Sequence, residues 1–363
     1  MTDAYIVGAV RSAGGKKNGR LSKIHPIDLG AEVVDALVAK TGVAVSEIDD
    51  LIFGCVSQVG AQSSNIARNI CLSSVLGEVV PGTTVDRQCG SGQQAMHFAA
   101  QGVLSGTQDL VIAGGVESMS QVPIGANIID GYKAEHGLPY GKKMSERYPG
   151  VQFNQFAGAE MLAHKYELTQ NELNAFAFDS HVKAKRAVLE GRFKDEIVAI
   201  QIELEDGTTE SHEQDEGIRM DATLGAIAGL QPLQENGLLS AANASQICDG
   251  AAAVMIANGA TCRRLGLKPL ARIIAMSVIG SDPVIMLEGP IPATKKVLEK
   301  ANLSVDDIDL FEVNEAFGSV PLAWVKALGA DISKLNVNGG AQALGHPLGG
   351  TGAKLMTTLV HEL

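Results

Sequence analysis

Short apolar runs alternate with amphipathic helical patterns along the first third of the chain, and this alternation restricts the possible folds more than any other feature. Apolar runs of about four to eight residues predict strands, whereas apolar residues three and four positions apart predict helices. These criteria predict strands at 4–10, 51–56, 83–87 and 110–114, and helices at 28–40, 66–76 and 93–104. Strands separated by helices form βαβ units, so we expect an α/β fold whose largely parallel sheet has helices on both faces.

The middle of the chain, residues 117–243, lacks this alternation. Glycine and proline recur irregularly between 123 and 139, and an acidic stretch occupies 203–216. A charged helix is predicted at 170–192, and a regular apolar pattern returns only at 247–257. We therefore expect a loop-rich insertion here, with a helix of its own.

An internal repeat relates the two ends of the chain. Residues 40–49 and 300–309 match at an offset of 260, and the second copy leads into an apolar run at 310–313, as the first leads into a predicted strand. A strand, a glycine-flanked turn and a helix follow in both halves. The repeat therefore predicts two similar α/β halves that carry Cys89 and His346 at equivalent strand ends, where ligands of open α/β sheets bind.

The repeat also predicts how the chain is divided. We expect an N-terminal half formed by 1–116 and completed by 244–268. The insertion at 117–243 separates these two parts. A C-terminal half follows at 269–363 and begins with a strand at 271–276.

Composition excludes several classes of function. The 363 residues include 29 basic and 41 acidic side chains, a formal charge of −12, which argues against a nucleic-acid-binding or anionic-membrane surface. No window approaches the roughly 20 apolar residues of a membrane span. Five cysteines without a Cys-x-x-Cys pair indicate reduced thiols in the cytoplasm rather than disulfides or a metal site. The 41 glycines indicate tight turns and close approach of backbone segments.

Cys89 differs from the other cysteines in its surroundings. It follows a predicted strand and precedes Gly90-Ser91-Gly92 at the start of a predicted helix. Unpaired backbone N–H groups and the positive end of the helix dipole favour a thiolate there, and the same N–H groups can stabilise an oxyanion. On this context alone a nucleophilic role and a structural one both remain open. The other four lie in apolar runs typical of structural thiols: Cys55, Cys71, Cys248 and Cys262.

His346 lies in the glycine-rich segment 345–352. Pro347 is typical of the first position of a helix, so we place His346 at the cap of that helix. The positive end of the dipole disfavours an imidazolium there and leaves the ring available as a base. A surface capping histidine is the alternative that this signal leaves open.

Asn314 begins the sequence Asn-Glu-Ala-Phe, which follows the apolar run at 310–313 and starts a further helix. Asn314 could cap that helix, which is a structural role. It could instead hold a water molecule against a reacting carbonyl oxygen.

Three of these segments together resemble the thiolases, the acetyl-CoA C-acyltransferase family. The nucleophile motif of that family is matched at 85–92, its Asn-Glu-Ala-Phe motif at 314–317 and its Gly-His-Pro motif within 338–349. Weaker matches lie at 243–252 and 282–290. The motifs occur in the family's order, and the resemblance covers essentially the whole chain.

The resemblance implies a layered αβαβα fold with two duplicated mixed-sheet halves. It also implies that a 3-ketoacyl-CoA acylates Cys89 and releases acetyl-CoA, after which a second CoA takes the acyl group. The reverse direction is a Claisen condensation. His346 would activate Cys89 and, with a water held by Asn314, polarise the thioester oxygen.

CoA is then expected to be a substrate, with no metal and no bound cofactor. Family precedent places CoA against the insertion, which makes Arg219 and Ser245 candidates for contacts with its nucleotide and pantetheine. Met286 would line the acyl pocket. The resemblance further implies a homodimer or homotetramer that acts in fatty acid β-oxidation.

Two departures from the family pattern bear on substrate and activity. Short-chain thiolases carry a His-Met pair where this chain has Asn154-Gln155, so we expect a reshaped acyl pocket and a degradative enzyme for longer or bulkier acyl chains. The family also carries a C-terminal Cys-x-Gly motif, whose cysteine is the acid/base for the acetyl group. The sequence ends at Leu363 with no cysteine after Cys262, which predicts an incomplete C-terminal half and impaired carbon–carbon chemistry for a chain that ends there.

Two other functions share these features. A ketoacyl synthase would resemble this fold, but such enzymes need a second histidine where this chain has Asn314. A catalytically impaired CoA- or acyl-binding homologue would use the pocket without the chemistry, and the missing Cys-x-Gly motif favours it.

Overall fold

The structure is a computed structural model that describes residues 3–204 and 206–363. The strands in this part of the chain are β1 (Ala4–Ser12), β2 (Gly15–Lys16), β3 (Asp50–Gly54), β4 (Gly82–Val85), β5 (Leu110–Ser118), β6 (Ile197–Val198), β7 (Ile200–Glu203), β8 (Thr209–His212), β9 (Cys248–Asn258) and β10 (Ala271–Arg272). Each strand and helix predicted in the first third of the chain is confirmed, with ends that differ by at most four residues.

The α-helices of the described residues are α1 (Pro26–Thr41), α2 (Ile66–Ser73), α3 (Ser91–Ser105), α4 (Ala126–Lys133), α5 (Lys142–Arg147), α6 (Gln155–Lys165), α7 (Gln170–Leu189), α8 (Leu224–Ala228), α9 (Gly259–Leu265), α10 (Pro290–Ala301), α11 (Ser319–Leu328), α12 (Ala341–Leu344) and α13 (Thr351–Glu362). The helix predicted at 170–192 is α7. Across the described part of the chain, no helix combines the length and apolar character needed to span a membrane.

A mixed eight-stranded sheet forms the centre of the structure. Its strand order is β10-β1-β9-β5-β3-β4, with β2 paired to β9 and β6 paired to β1. β3 is parallel to β4 and β5, but β9 is antiparallel to both β1 and β5, so the prediction of a largely parallel sheet is wrong. The insertion starts where β5 ends and returns to the same end of the sheet, so β9 needs no crossover and runs antiparallel. Its central position supports the proposed assignment of 244–268 to the N-terminal half.

Helices cover both faces of this sheet because successive strand residues point to opposite sides. In β5, Leu110 and Ile112 pack with α1 and α2 on one face. Val111 and Ala113 pack with α3 and α13 on the other. The sheet therefore joins the helix that follows Cys89 to the helix that follows His346.

The internal repeat is visible in the local structure. Short 3₁₀ helices occur at Val45–Glu47 and Val305–Asp307, which are 260 residues apart. The first residues of α3 and α13, Ser91 and Thr351, are also 260 residues apart. The repeated sequence thus forms the same local structure in both halves.

Two strands predicted in the C-terminal half form only in part. Of the strand predicted at 271–276, only two residues form β10. The predicted strand at 310–313 forms only a single β-bridge, between Phe311 and Leu335. An extended segment becomes a strand only where a neighbour supplies a ladder of hydrogen bonds. In the described residues, Phe311 has one such neighbour, and the segment continues into the loop that carries Asn314.

Glycines let the sheet touch the segment that leads into α13. A Cβ atom on Gly54 would lie 2.6 Å from the carbonyl oxygen of Gly349, and a Cβ atom on Gly115 would overlap with the same oxygen. Real side chains do not tolerate such separations. These glycines therefore fix the distance between the N-terminal half and the segment that carries His346.

We expect Gly115→Ala to lower the free energy of unfolding by about 1–3 kcal/mol, because the added methyl group collides with backbone rather than with a movable side chain. Gly131→Ala is the matched control, since no atom lies within 4 Å of the position its Cβ would take in α4. That variant should be unchanged or more stable by up to about 1 kcal/mol. Urea denaturation followed by circular dichroism measures both, and equal stabilities would contradict the close packing.

Candidate active site

Cys89 lies in a turn between β4 and α3, just before the N-cap residue Gly90. The hydroxyl of Ser91 donates to the carbonyl of Gln88 at 2.6 Å and accepts from the N–H of Arg87 at 2.8 Å. These bonds hold Gln88 at a φ of 49°, which is uncommon outside glycine. The turn thus presents Cys89 at the N-terminus of α3, as the sequence predicted.

The sulfur of Cys89 lies in apolar surroundings. Cys89 packs against Val56, Met119 and Leu348 and is more exposed than the other four cysteines, which are buried. Burial raises the pKa of the Cys89 thiol to about 11, although its backbone N–H opposes the shift. Desolvation therefore opposes the thiolate that the helix terminus is expected to favour. Cys89 needs a base to become a nucleophile.

His346 is buried and has a defined tautomer. Its Nδ1 lies 2.6 Å from the Oγ1 of Thr351, whose hydroxyl donates to the carbonyl of Pro347 at 2.9 Å. The Thr351 oxygen must therefore accept a hydrogen bond from Nδ1–H. This leaves Nε2 unprotonated, and the Nδ2 group of Asn314 donates towards it at 3.4 Å.

The same burial makes His346 a base. Desolvation, followed by the charge of Lys354, lowers the pKa of His346 to about 4, so the imidazole is neutral at pH 7. The prediction that His346 caps a helix is wrong, because α13 begins at Thr351 with Gly350 as its N-cap. Burial, rather than a helix dipole, keeps the ring available for a proton.

Asn314 has no capping role, since α11 begins at Ser319 with Gly318 as its N-cap. The structure therefore excludes the capping role, which is one of the two roles that the sequence leaves open. Instead the Nδ2 of Asn314 faces His346, while its Oδ1 is buried and accepts no hydrogen bond from any described residue. An unpaired buried carbonyl oxygen is costly unless a water or ligand donates to it. Asn314 can therefore hold a water next to His346.

Glu315 fixes the backbone beside Asn314. Its carboxylate accepts hydrogen bonds from the hydroxyl of Ser180 at 2.8 Å, the Nδ2 of Asn336 at 2.9 Å and the N–H of Gln342 at 3.0 Å. Burial raises the pKa of Glu315, and these three donors oppose the shift. The segment that carries Asn314 is thereby attached to the insertion and to α12.

Cys89 and His346 are brought together by backbone packing. Leu348, two residues after His346, contacts Cys89. A Cβ atom on Gly92 in α3 would lie 2.7 Å from the carbonyl oxygen of Gly349, so α3 begins directly against this segment. The prediction that Cys89 and His346 lie at equivalent strand ends holds for Cys89, which follows β4, but is wrong for His346, which follows the short helix α12. Contacts between their flanking residues nevertheless bring the two segments together.

Glu117 is a site residue that sequence reasoning missed. This buried carboxylate at the end of β5 accepts from the N–H groups of Val56 at 2.9 Å, Ser57 at 3.0 Å and Gly349 at 2.9 Å, and from the Nε2 of Gln62 at 2.8 Å. Burial raises its pKa against the effect of these donors. An acidic residue in a strand that is otherwise apolar is the signal that could have identified it.

Ser245 lies between the segments of Asn314 and His346. Its N–H donates to the carbonyl of Ala316 at 2.9 Å. The next residue, Gln246, accepts the N–H of His346 at 3.2 Å and donates through Nε2 to the carbonyl of Gly217 at 2.8 Å. A continuous path of hydrogen bonds thus runs from the reactive histidine to the segment of Arg219.

Arg219 lies at a surface cleft of about 490 Å³. Its N–H donates to the Nδ1 of His181 at 3.2 Å, and burial together with the charge of Arg219 lowers the pKa of His181 to about 4. Cationic and apolar side chains from α7 and the loop before α8 line the cleft, together with the acidic Glu190. These include Phe178, Lys185, Arg186, Leu189, Arg219 and Met220.

Met286 packs against α6, where the family departure lies. A Cβ atom on Gly158 would be 3.4 Å from the Cγ of Met286. Asn154 is the N-cap of α6, since its Oδ1 accepts from the N–H groups of Phe156 at 2.8 Å and Ala157 at 3.3 Å. Asn154 therefore has a local role in starting this helix.

Thr351→Val should slow alkylation of Cys89 by iodoacetamide roughly 10- to 100-fold, because His346 loses the acceptor that sets its tautomer. Thr351→Ser retains that oxygen and should restore the rate. Thr357→Val is a matched control on the same helix, since Thr357 donates to the carbonyl of Ala353 at 2.8 Å. Peptide mass spectrometry locates the label, and equal rates for Thr351→Val and Thr357→Val would exclude the tautomer role.

The part of the Cys89 alkylation rate that depends on His346 is the difference between the wild-type protein and His346→Ala. This part should stay constant between roughly pH 6 and 9 and fall as the pH approaches 4, because the fraction of thiolate–imidazolium pairs changes little while the pH lies between the two pKa values, near 4 and near 11. Direct ionisation of the thiol adds a rate that rises about 10-fold per pH unit in both proteins, because the pH stays below the pKa of the thiol. Equal rates in the two proteins at every pH would mean that the thiol reacts without His346.

The comparisons with known proteins agree with these features. The family model of the thiolase N-terminal domain matches residues 4–260, and that of the thiolase C-terminal domain matches residues 267–363. The chain is 47% identical to the steroid 3-ketoacyl-CoA thiolase FadA6 of Mycobacterium tuberculosis, over 100% of this chain and 88% of that protein. It is 40% identical to the 3-ketoacyl-CoA thiolase of Bacillus subtilis, over 100% and 93%.

A solved structure shows the same fold. The acetyl-CoA acetyltransferase of Bacillus anthracis superposes with a TM-score of 0.91 at 38% sequence identity, over 100% of this chain and 92% of that one. The mixed α/β, thiolase-like fold expected from the sequence is thereby confirmed. The chain belongs to the thiolase family.

Proposed function

We propose that this thiolase cleaves 3-ketoacyl-CoA with CoA, giving acetyl-CoA and an acyl-CoA shortened by two carbons. The observation that carries the proposal is the close packing of the segments of Cys89 and His346, which places a protonated thiol near a neutral imidazole whose Nε2 carries no proton and faces the Nδ2 of Asn314. The names of the relatives, 3-ketoacyl-CoA thiolases at 40–47% identity, support the reaction. The neutral pair supports a covalent mechanism, because it can deliver a thiolate only when a substrate is present.

In the first half-reaction, Nε2 of His346 takes the proton of Cys89 and the thiolate attacks the C3 carbonyl of the substrate. The C2–C3 bond then breaks, and its electron pair goes to C2, giving the enolate of acetyl-CoA. The enolate then takes the proton that His346 received from Cys89, so His346 is neutral again and the half-reaction is proton-neutral. The shortened acyl group remains on the sulfur as a thioester.

In the second half-reaction, CoA replaces acetyl-CoA. His346 accepts the proton of the CoA thiol, the CoA thiolate attacks the acyl carbonyl, and the sulfur of Cys89 leaves and recovers a proton. A water held by the free Oδ1 of Asn314 can donate to the carbonyl oxygen in both half-reactions. Two products leave in turn, which predicts ping-pong kinetics.

The cleft beside Arg219 suits the nucleotide of CoA. CoA carries several phosphate charges, and this acidic chain needs a local group of cations to bind it. Arg219, Lys185 and Arg186 supply these cations, while Met220 and Leu189 offer apolar surface for a base. Ser245 and Gln246 lie between the segment of Arg219 and that of His346, which makes Ser245 a candidate for a contact with pantetheine.

Arg219→Ala should raise the KM for CoA about 10-fold with little change in kcat, because it removes a charge from binding rather than from the reaction. Arg264→Ala removes a comparably exposed arginine, paired with Glu47 at 2.7 Å, and serves as the control. Steady-state kinetics with varied CoA measures both. An unchanged KM in Arg219→Ala would place the nucleotide elsewhere.

The acyl group is proposed to be long or ring-bearing. The relative at 47% identity is named for steroid substrates, and this chain has Asn154-Gln155 at the start of α6, where the short-chain pattern has a His-Met pair. Met286, which lies against α6, is proposed to line the acyl pocket. Phe156 of α6 is 42% exposed and lies edge-on to Phe317 at 5.3 Å, next to the Asn314 segment. Exposed apolar side chains near the site can receive apolar substrate.

We expect kcat/KM for a ring-bearing 3-ketoacyl-CoA to exceed that for acetoacetyl-CoA by at least about 10-fold, since added buried apolar groups strengthen binding. Acetyl-CoA release, measured by liquid chromatography, tests both the reaction and the preference. A marked preference for the four-carbon substrate would contradict the acyl proposal while leaving the reaction intact. Absence of acetyl-CoA with every substrate would contradict the reaction itself.

The alternative functions are less well supported. Full-length similarity to proteins named as thiolases does not favour a catalytically impaired homologue. Asn314 occupies the position where a ketoacyl synthase would need a histidine. The Nδ2 of Asn314 lies 3.4 Å from the Nε2 of His346, which fits the roles proposed for these two residues in a thiolase.

Oligomeric state and compartment also remain proposals. We propose a homodimer or homotetramer in the cytoplasm. The sheet ends at β4, whose backbone edge is unpaired among the described residues, and Leu72, Val75 and Val79 beside it are more than half exposed. Open edges and apolar patches of this kind favour association. All five cysteines carry free thiols, which supports a reducing compartment.

A further inference from the structure

A buried cluster of four ionisable side chains lies beside the active site, and none of them transfers a proton in the mechanism above. Two cations and two anions make it formally neutral: Arg11, Lys354, Glu196 and Asp215. Their side chains are between 0% and 7% exposed. Apolar residues of similar volume often stabilise a fold as well as such a cluster does, so folding alone does not account for it.

Asp215 is the centre of the cluster. The guanidinium of Arg11 donates to both of its carboxylate oxygens, at 2.9 Å and 3.0 Å, and the N–H of Gly14 donates to Oδ1 at 2.7 Å. Arg11 also binds Glu196 through Nε at 2.6 Å. Burial alone would raise the pKa of Asp215, but the charges of Arg11 and Lys354 lower it, so the carboxylate stays ionised.

Lys354 connects this centre to the catalytic histidine. Its Nζ lies 3.5 Å from Oδ1 of Asp215 and also donates to the carbonyls of Leu344 and Gly345, the latter at 3.4 Å. An ammonium group has three N–H bonds, so these acceptors use all of them. Gly345 has a φ of 81° and directly precedes His346, and thus the ammonium holds the backbone from which the imidazole projects.

We propose that Lys354, oriented by Asp215, is a positioning residue that holds His346 at the distance from Cys89 at which a proton can pass. The proposal rests on the role of His346 as the base for Cys89. Lys354 touches neither substrate nor the reacting atoms and acts through the carbonyls of Leu344 and Gly345. A displacement of about 1 Å at a catalytic group can cost roughly 100-fold in rate, so a small movement of this backbone is sufficient.

Lys354→Met removes the ammonium group and keeps a side chain of similar length. We expect kcat and the rate of Cys89 alkylation to fall together, by about 100-fold, while KM for CoA changes less than about 2-fold because the Arg219 cleft is untouched. A general loss of structure would change all three quantities and the melting temperature.

Lys326→Met is a matched control. Lys326 also donates to two consecutive carbonyls, those of Tyr166 at 3.4 Å and Glu167 at 3.2 Å, and it lies 3.1 Å from the carboxylate of Glu172. Its set of partners is thus equivalent to that of Lys354, but none of them adjoins His346. This variant should keep the wild-type kcat and alkylation rate.

The double variant Lys354→Met, Asp215→Asn separates positioning from charge balance. The double variant leaves one cation and one anion, so the cluster stays formally neutral. If the single variant Lys354→Met does not fold, the double variant tests the positioning role instead. Slow alkylation in the double variant at pH 8, where His346 is neutral with or without the charge of Lys354, supports positioning by the lost hydrogen bonds. Wild-type rates in either variant would overturn the proposal.

His346→Ala, measured alongside, distinguishes this inference from the proposed function. If His346→Ala is alkylated as fast as the wild-type protein, the base role fails, and the positioning role with it. If His346→Ala is slow but Lys354→Met is not, only the positioning role fails.

Discussion

The buried carboxylate of Glu117 is the interaction on which the active site most depends. It accepts hydrogen bonds from N–H groups of the loop after β3 and from the N–H of Gly349, the third residue after His346. These bonds join the two halves of the chain. A buried charge is tolerated only where donors surround it, and four donors surround this one. The close contacts of Gly54, Gly92 and Gly115 with Gly349 depend on the same backbone position. The hydrogen bonds of Glu117 and the close packing of the glycines therefore both fix the position of Gly349 relative to the sheet.

Burial also sets the chemistry. It raises the pKa of Cys89 and lowers that of His346, so both groups are neutral in the free protein. A neutral thiol resists adventitious oxidation and alkylation better than a thiolate does. The proton moves only when a bound carbonyl can take the negative charge that follows. The hydrogen bond from His346 to Thr351 matters here because it leaves the correct nitrogen free.

Local patterns predicted much of this structure, and contacts distant in sequence explain the rest. The strands and helices of the first third follow from periodicity, and Cys89 and His346 stand out by their glycine-rich neighbours. The cap placed at His346 was wrong, and the capping alternative for Asn314 is excluded, because α13 and α11 begin only at Thr351 and Ser319. The apolar run at 310–313 does not form a full strand because, among the described residues, it has no neighbouring strand to supply a ladder of hydrogen bonds. Glu117 and Gly349 are 232 residues apart, and no local pattern reveals such a pair.

Mass spectrometry of the covalent intermediate tests the central claim most directly. The protein is incubated with a 3-ketoacyl-CoA in the absence of free CoA, and its intact mass and peptides are measured. We predict a mass increase equal to that of the shortened acyl group, located on the peptide that contains Cys89 and removed when CoA is added. Binding without a change in mass, or acylation at another residue, would contradict a thiolase mechanism at Cys89 and would favour a CoA-binding homologue without the chemistry.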